Sequence, residues 1–490
     1  MRVLLATLSV EPESRFWNHP DSPYTLGLAY LYSVIEKEGH DVRLLFLNNF
    51  DSAYSEVTLF GNIEEWQPQL VGFQIFTMNR VSTFDAIEKL KVSYPKIKVV
   101  IGGVHTSVMY KQILNKYNHI IAVIGEGEIT FKELVNSIEN GHSHENIAGI
   151  AYYKDGNVVV TKQRNLLEDL DILPFAKHEI FFDNEPNRTI GHIISSRGCP
   201  FNCSFCCLKV ISNRVSRTRD MRKVVEEIKI LKGKYPRLQH IQFHDDTLLL
   251  NNERVIEFCK LIISEKLGIT FSCSARVKPI SSEMFSWMAR AGFTKIMFGL
   301  ETGSSKLLES IHKKIKKEDV INLFNILKPF DFIVTTFLMC GFPGETEETI
   351  QETIALVKKT QKIHYNWIAG VGKLWVYPGS EVYQFMKDMG KISDDFWMEN
   401  TPVPYFTAEH DLKTLVKFEE KMMNHLAISR ILTFKGFMNH FLSMPITIIS
   451  FLIKPKNRGA LRSVIKTTIQ IYSPRLYVLL YDLYKKSFKH

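Results

Sequence analysis

Over roughly the first 145 residues, short β-branched or apolar runs alternate with stretches of helical periodicity: RVLLAT, LGLAYLYSVIEKEG, DVRLLFL, LVGFQIF, VSTFDAIEKLKVSY, KVVIGG, IIAVIGEGE and ITFKELVNSIEN. The alternation predicts βαβ units around a parallel, doubly wound sheet. In such a sheet ligands bind beyond the carboxyl ends of the strands. Two glycine clusters fall there, Gly102-Gly103 and Gly125-Glu126-Gly127, although glycine after a strand reads equally well as a plain tight turn. A hairpin follows, IAGIAYYKDGNVVVT, turning at Asp155-Gly156. With the acidic, proline-bearing connector after it, it forms a linker over 146–190.

From 191 to about 390 the alternation restarts, with strands near HIISS, HIQFHD, TFSCSA, KIMFGLE, FIVTTFLMC and WIAGVGKLWVY. Six strand-helix units predict a partial (β/α)6 barrel, whose active site lies where the strands end. Polar or glycine-rich positions cluster at those ends: Cys199, His244-Asp245-Asp246, Arg276, Glu301, Gly341 to Glu345, and Pro378-Gly379. Residues 391–490 are predominantly helical in pattern.

Charge changes the picture only at the end of the chain. Twelve of the 61 basic residues, but one of the 52 acidic ones, lie from Lys421 onward, so the net charge of +9 belongs to the tail. No basic face carried by a nucleic-acid module is visible, and no nucleic-acid partner is expected. The N-terminus lacks a basic region followed by a sustained apolar run, so a cytoplasmic location is expected. The stretch 436–453 has no charged residue and is followed by KPKNRGALR, but Asn439, His440 and Pro445 interrupt it. A spanning helix is not expected. Either a helical cap on the barrel or peripheral attachment of 436–490 to an anionic membrane fits.

Four of the seven cysteines crowd between Cys199 and Cys207, which is no secreted disulfide framework. In RGCPFNCSFCCLK they fall as C-x3-C-x2-C at Cys199, Cys203 and Cys206. Three thiolates on one loop can hold three irons of a four-iron cluster and leave the fourth open, whereas electron carriers usually supply four. A zinc site completed by Cys207 is the competing structural reading. Cys259, Cys273 and Cys340 read as packing residues.

This motif, with Phe205 before its third cysteine, resembles the radical S-adenosylmethionine superfamily. The resemblance implies a [4Fe-4S] cluster on Cys199, Cys203 and Cys206, S-adenosylmethionine chelating the free iron, Phe205 against the adenine, and formation of a 5'-deoxyadenosyl radical. It also implies cofactor contacts for Glu301 in FGLETGSSKLLE, Arg276 in CSARV and Gly341 and Gly344 in GFPGET. Arg276 would pair with a carboxylate bidentately. Asp245 and Asp246 would act there too, though either could cap the next helix, and Glu301 could instead serve a helix N-terminus. His244 reads as a structural histidine.

The preceding segments PYTLGLAYLYSVIEKEGHDVRLL, IGGVHTS and IGEGEITFKELV, with the hairpin and LEDLDILPF, resemble the cobalamin-binding class of these enzymes. The class implies a Rossmann-like domain over 1–145, with Gly102, Gly103, His105, Gly125, Glu126 and Gly127 lining a cobalamin site. No D-x-H-x-x-G loop supplies an axial histidine. The reaction it implies is cobalamin-dependent methylation of an unactivated carbon on a hydrophobic or natural-product substrate, fed by a flavodoxin or ferredoxin. Ring closure, rearrangement or carbon-carbon coupling without methyl transfer is the alternative.

Overall fold

A computed structural model describes residues 1–10, 23–364, 366–400, 407 and 409–431. The first sheet contains β1 (Arg2–Thr7), β2 (Asp41–Phe46), β3 (Leu70–Gln74), β4 (Lys98–Gly102), β5 (Ile121–Val123), β6 (Ile150–Lys154) and β7 (Asn157–Val160), in the order β2-β1-β3-β4-β5-β6-β7. The first five pair in parallel and the hairpin β6–β7 joins β5 antiparallel. Strand β1 reads RVLLAT because it is central, and Val3 to Thr7 are all buried. The chain reverses direction across the sheet between β1 and β3, which opens a crevice at the carboxyl ends.

The helices between the strands are placed by their caps and apolar stripes. Asp51 accepts from the Tyr54 N–H at 2.8 Å and starts the helix Ser52–Trp66. The helix Leu26–Lys37 buries Leu26, Ala29, Tyr30 and Val34 against the sheet.

The second sheet is the expected partial barrel. Its strands β8 (Ile190–Ile193), β11 (His240–Phe243), β12 (Thr270–Ala275), β13 (Phe293–Glu301), β14 (Ile333–Cys340) and β15 (Trp367–Lys373) run parallel in the order β15-β14-β13-β12-β11-β8. Between β8 and β11 a two-stranded antiparallel ribbon, β9 (Ser196–Arg197) with β10 (Arg217–Thr218), brackets the cysteine loop. In β13, Ile296, Phe298 and Leu300 enter the apolar core, while Met297 and Gly299 share the face of Ser274 in β12, just beyond whose end Arg276 follows. That face is the inner wall leading to the cysteine loop.

One continuous core runs from Val3 and Leu5 of the first sheet, and Tyr30 of the helix packed on it, to Ile193, Met221 and Ile228 of the barrel unit, so the two units pack directly on each other. Beyond the barrel, a 3-10 turn Asp394–Met398 and a helix Leu412–Ile431 follow. The segment 436–490 lies outside the described residues. Among them, no helix is long and apolar enough to cross a membrane.

Candidate functional site

The cysteine loop is held from several sides. Gly198 donates its N–H to Asp246 at 2.9 Å and has φ +87, and a Cβ there would lie 2.1 Å from the Val215 carbonyl oxygen. Only glycine lets β9 and β10 close so tightly. Downstream, Ser204 donates to the Ile311 carbonyl at 3.1 Å and accepts from the Glu381 and Val382 N–H groups. Cys203 is buried and Cys199 and Cys206 are half-buried. Burial pushes the Cys199 thiol up, and that of Cys206 to about 11.

This donor set fits an iron-sulfur cluster. Arg276 directs an N–H at the Cys203 sulfur, 3.4 Å away, a contact suited to a sulfur that carries negative charge. Among the described residues, no three His, Cys, Asp or Glu side chains stand close enough to share one metal ion.

The remaining strand-end residues divide into those near the loop and those turned elsewhere. Arg276 lies 3.7 Å from the Phe201 ring centre and also donates to the Lys313 carbonyl; among the described residues, no carboxylate meets it. Glu301, buried and at φ +68, instead accepts from the buried Lys313 ammonium at 2.6 Å. Lys313 stands 5.7 Å from the Phe205 ring, which packs on Phe342. Asp245 is consumed inside the fold, accepting from the Ser195 N–H at 2.7 Å and from the hydroxyls of Ser195 and Ser196. Neither Asp245 nor Asp246 caps the next helix, which begins on Asn251. Gly341 donates to Glu345 and packs under Leu415, and Gly344 donates to Glu409 at 2.7 Å, so both glycines face the segment 409–415.

Between the two sheets lies a cavity of about 290 Å³. Its floor comes from the glycine clusters, Gly102, Gly103, Gly125 and Gly127, and its opposite wall from Ser196, Arg197, Gly198, His244 and Asp246. Gly125 has φ +80 and nothing lies within 4 Å of where its Cβ would stand. At Gly125 the wall thus presents bare backbone, and apolar side chains such as Leu31, Phe76 and Phe131 line the cavity beside it, a fit for a broad, flat cofactor such as a corrin.

Glu126 also lines the cavity, but its carboxylate is taken. Arg217 grips it with two N–H groups at 2.7 Å each, and Arg197 stands at 3.5 Å while donating to Glu128 at 2.8 Å. Burial pushes Glu126 up, but the two guanidinium groups outweigh it and hold its pKa below the usual carboxylate value. These four residues tie the first unit to the ribbon that brackets the cysteines. His105 does not line the cavity. It is buried on the other side of its helix, within 3.1 Å of the Thr77 hydroxyl and against Trp397, and burial lowers its pKa to about 3.

Sequence reasoning missed Lys313, Arg197, Arg217 and the Ser195-Ser196 pair. Each acts on a partner that the chain brings up from elsewhere, up to 91 residues away for Arg217 and Glu126. No local pattern marks them.

Comparison with known proteins agrees with this layout. Residues 193–357 match the radical SAM superfamily profile and residues 20–135 the B12 binding domain profile. An uncharacterized methyltransferase of Pyrococcus horikoshii is 29% identical over 405 residues, covering 80% of this chain and 86% of the relative. An anaerobic magnesium-protoporphyrin IX monomethyl ester cyclase of Rubrivivax gelatinosus is 27% identical, covering 75% and 67%. Among solved structures, the cobalamin-dependent S-adenosylmethionine radical enzyme OxsB with aqua-cobalamin and S-adenosylmethionine bound superposes with TM-score 0.70 at 17% identity, over 96% of this chain and 71% of that one. The methyltransferase TsrM of Kitasatospora setae, with cobalamin and a [4Fe-4S] cluster bound, gives 0.65 at 18% over 79% and 75%.

Proposed function

Because this chain belongs to the radical S-adenosylmethionine enzymes that carry a B12-binding domain, with a [4Fe-4S] cluster, S-adenosylmethionine and cobalamin as cofactors, we propose that it methylates an unactivated carbon of a hydrophobic small molecule. When bound, these groups supply reductive cleavage of S-adenosylmethionine and carriage of a methyl group. The observation that carries the reading is the single cavity onto which both the glycine clusters and the start of the cysteine loop open.

On this reading Cys199, Cys203 and Cys206 hold the cluster, and Arg276 steadies the anionic sulfur of Cys203. Phe205 offers a ring to the adenine. Glu301, fixed by Lys313, presents a carboxylate to the bound S-adenosylmethionine. Gly102, Gly103, Gly125 and Gly127 seat the corrin, and the Glu126–Arg217 clamp sets the distance between the two halves. For the substrate, the inner barrel wall offers Phe337, which is 45% exposed and flanked in register by Gly299 and Gly370. An aromatic ring between two positions without side chains favours an apolar group.

The electron would come from a flavodoxin or ferredoxin. The uncharged stretch and basic cluster of 436–490 support a peripheral contact with anionic lipid. The likeness to a cyclase favours, as a second reading, radical ring closure without methyl transfer. Anaerobically reconstituted protein supplied with a reductant and S-adenosylmethionine tests the choice. Methylation predicts both 5'-deoxyadenosine and S-adenosylhomocysteine, both lost in Cys206→Ala. Formation of 5'-deoxyadenosine alone would favour ring closure.

A further inference from the structure

His244, which reads from sequence as a structural histidine, is the only imidazole among the described residues lining the interdomain cavity. It follows β11, and Asp246, two residues on, lines the same wall. Its backbone N–H is spent on the Ile193 carbonyl at 2.8 Å. Its Nε2 lies 2.8 Å from Nδ1 of His192, and no described residue partners its other ring nitrogen.

The ring has little freedom. His192 is fully buried, meets the Tyr24 ring edge-on at 4.6 Å between centres, and donates its backbone N–H to the Tyr24 hydroxyl at 3.1 Å. Tyr24 is in turn 2.8 Å from His178, whose Nε2 reaches Glu227 at 2.9 Å. Buried imidazoles elsewhere in the fold, His192 among them, also leave one ring nitrogen without a partner, but those nitrogens are enclosed in the protein, whereas the ring of His244 lines the cavity and can meet a bound molecule there. Burial lowers the His244 pKa to about 4, so the ring is neutral at ordinary pH and can serve as donor or acceptor.

We propose that His244, held by His192, is a cofactor-binding residue on the barrel side of the cavity, where its free ring nitrogen exchanges a hydrogen bond with an amide at the edge of the corrin. The inference rests on the assignment of the cavity to cobalamin.

The test is absorbance titration of the anaerobically reconstituted full chain with hydroxocobalamin, with bound iron measured on every sample. His244→Ala should weaken binding about tenfold, the size of one lost hydrogen bond, at unchanged iron content. His244→Asn, whose amide places a polar atom near the position of Nδ1, should stay within about threefold of wild type. His192→Phe should weaken binding as His244→Ala does, because it releases the ring that His244 leans on. Affinity within about twofold of wild type in His244→Ala would overturn the inference, as would equal losses in the alanine and asparagine variants. Failure of the wild-type chain to bind cobalamin would instead defeat the assignment of the cavity itself.

Discussion

Replacing Gly198 by alanine should cost the protein its cluster while sparing the first unit. At φ +87 an L-residue carries a left-handed backbone penalty of about 1–2 kcal/mol. The new methyl carbon would stand 2.1 Å from the Val215 oxygen and 3.0 Å from the Ser212 Cβ, and both neighbours belong to the same short loop. Relief requires β9 and β10 to part, at an overpacking cost of about 1–3 kcal/mol. The sum, about 2–5 kcal/mol, corresponds to weakening of the closed loop by a factor of about 30 to several thousand. Spreading the ribbon also pulls Gly198 off Asp246 and moves Cys199. Iron and sulfide per chain after anaerobic reconstitution, read with the visible cluster absorbance, should fall to near background. Gly125→Ala is the contrasting control. Its φ of +80 carries the backbone penalty, but no atom lies within 4 Å of the new methyl. It should therefore keep its iron and lose cobalamin affinity. Wild-type iron content and an unchanged unfolding midpoint in Gly198→Ala would show that Gly198 does not hold the ribbon closed.

Three further outcomes follow from named contacts. Glu126→Gln removes the carboxylate that faces Arg217 and Arg197, and should lower stability by about 3 kcal/mol in urea titrations. Because the folded Glu126 pKa is depressed, its stabilisation is present above the unfolded carboxylate pKa and is lost as pH falls through the lower folded value, so the variant should differ least from wild type in acid. Glu345 behaves oppositely: burial raises its pKa to about 7 despite the N–H groups of Gly341 and Phe342, so its contribution is full below the unfolded pKa and lost as pH rises through about 7. Glu345→Gln should flatten the fall in urea midpoint between pH about 5 and about 8, and an unchanged slope would count against it. Gly370→Leu, which sets a branched side chain beside Phe337, should leave iron content and the 5'-deoxyadenosine formed without substrate unaltered, while lowering product formation at least about tenfold.

The strands were legible because buried parallel strands read as continuous apolar runs, as RVLLAT and KVVIG do, and because the cysteine spacing is itself a local signal. His105 was harder. It follows the Gly102-Gly103 turn closely, but it is the second residue of a helix, where one step turns the side chain by about 100°. Val104 lines the cavity and His105 faces Thr77. Arg276 invited a carboxylate partner, yet the carboxylate at the neighbouring strand end, Glu301, is satisfied by Lys313, and the guanidinium goes to Phe201 and Cys203. Glu126 and Asp245 were visible as acidic residues at strand ends. What each carboxylate meets depends on Arg217 and on Ser195-Ser196, residues that only the folded topology brings near.

Whether this chain transfers a methyl group is tested most directly by feeding methyl-deuterated methionine to anaerobic cells that carry either the wild-type protein or Cys206→Ala, and comparing their small molecules and lipids by mass spectrometry. Methylation predicts a species, present only with the wild-type protein, in which one hydrogen on carbon is replaced by an intact trideuteromethyl group. A wild-type-specific product with no label, differing from its precursor only by loss of hydrogen or by rearrangement, would contradict methylation in favour of radical chemistry without methyl transfer.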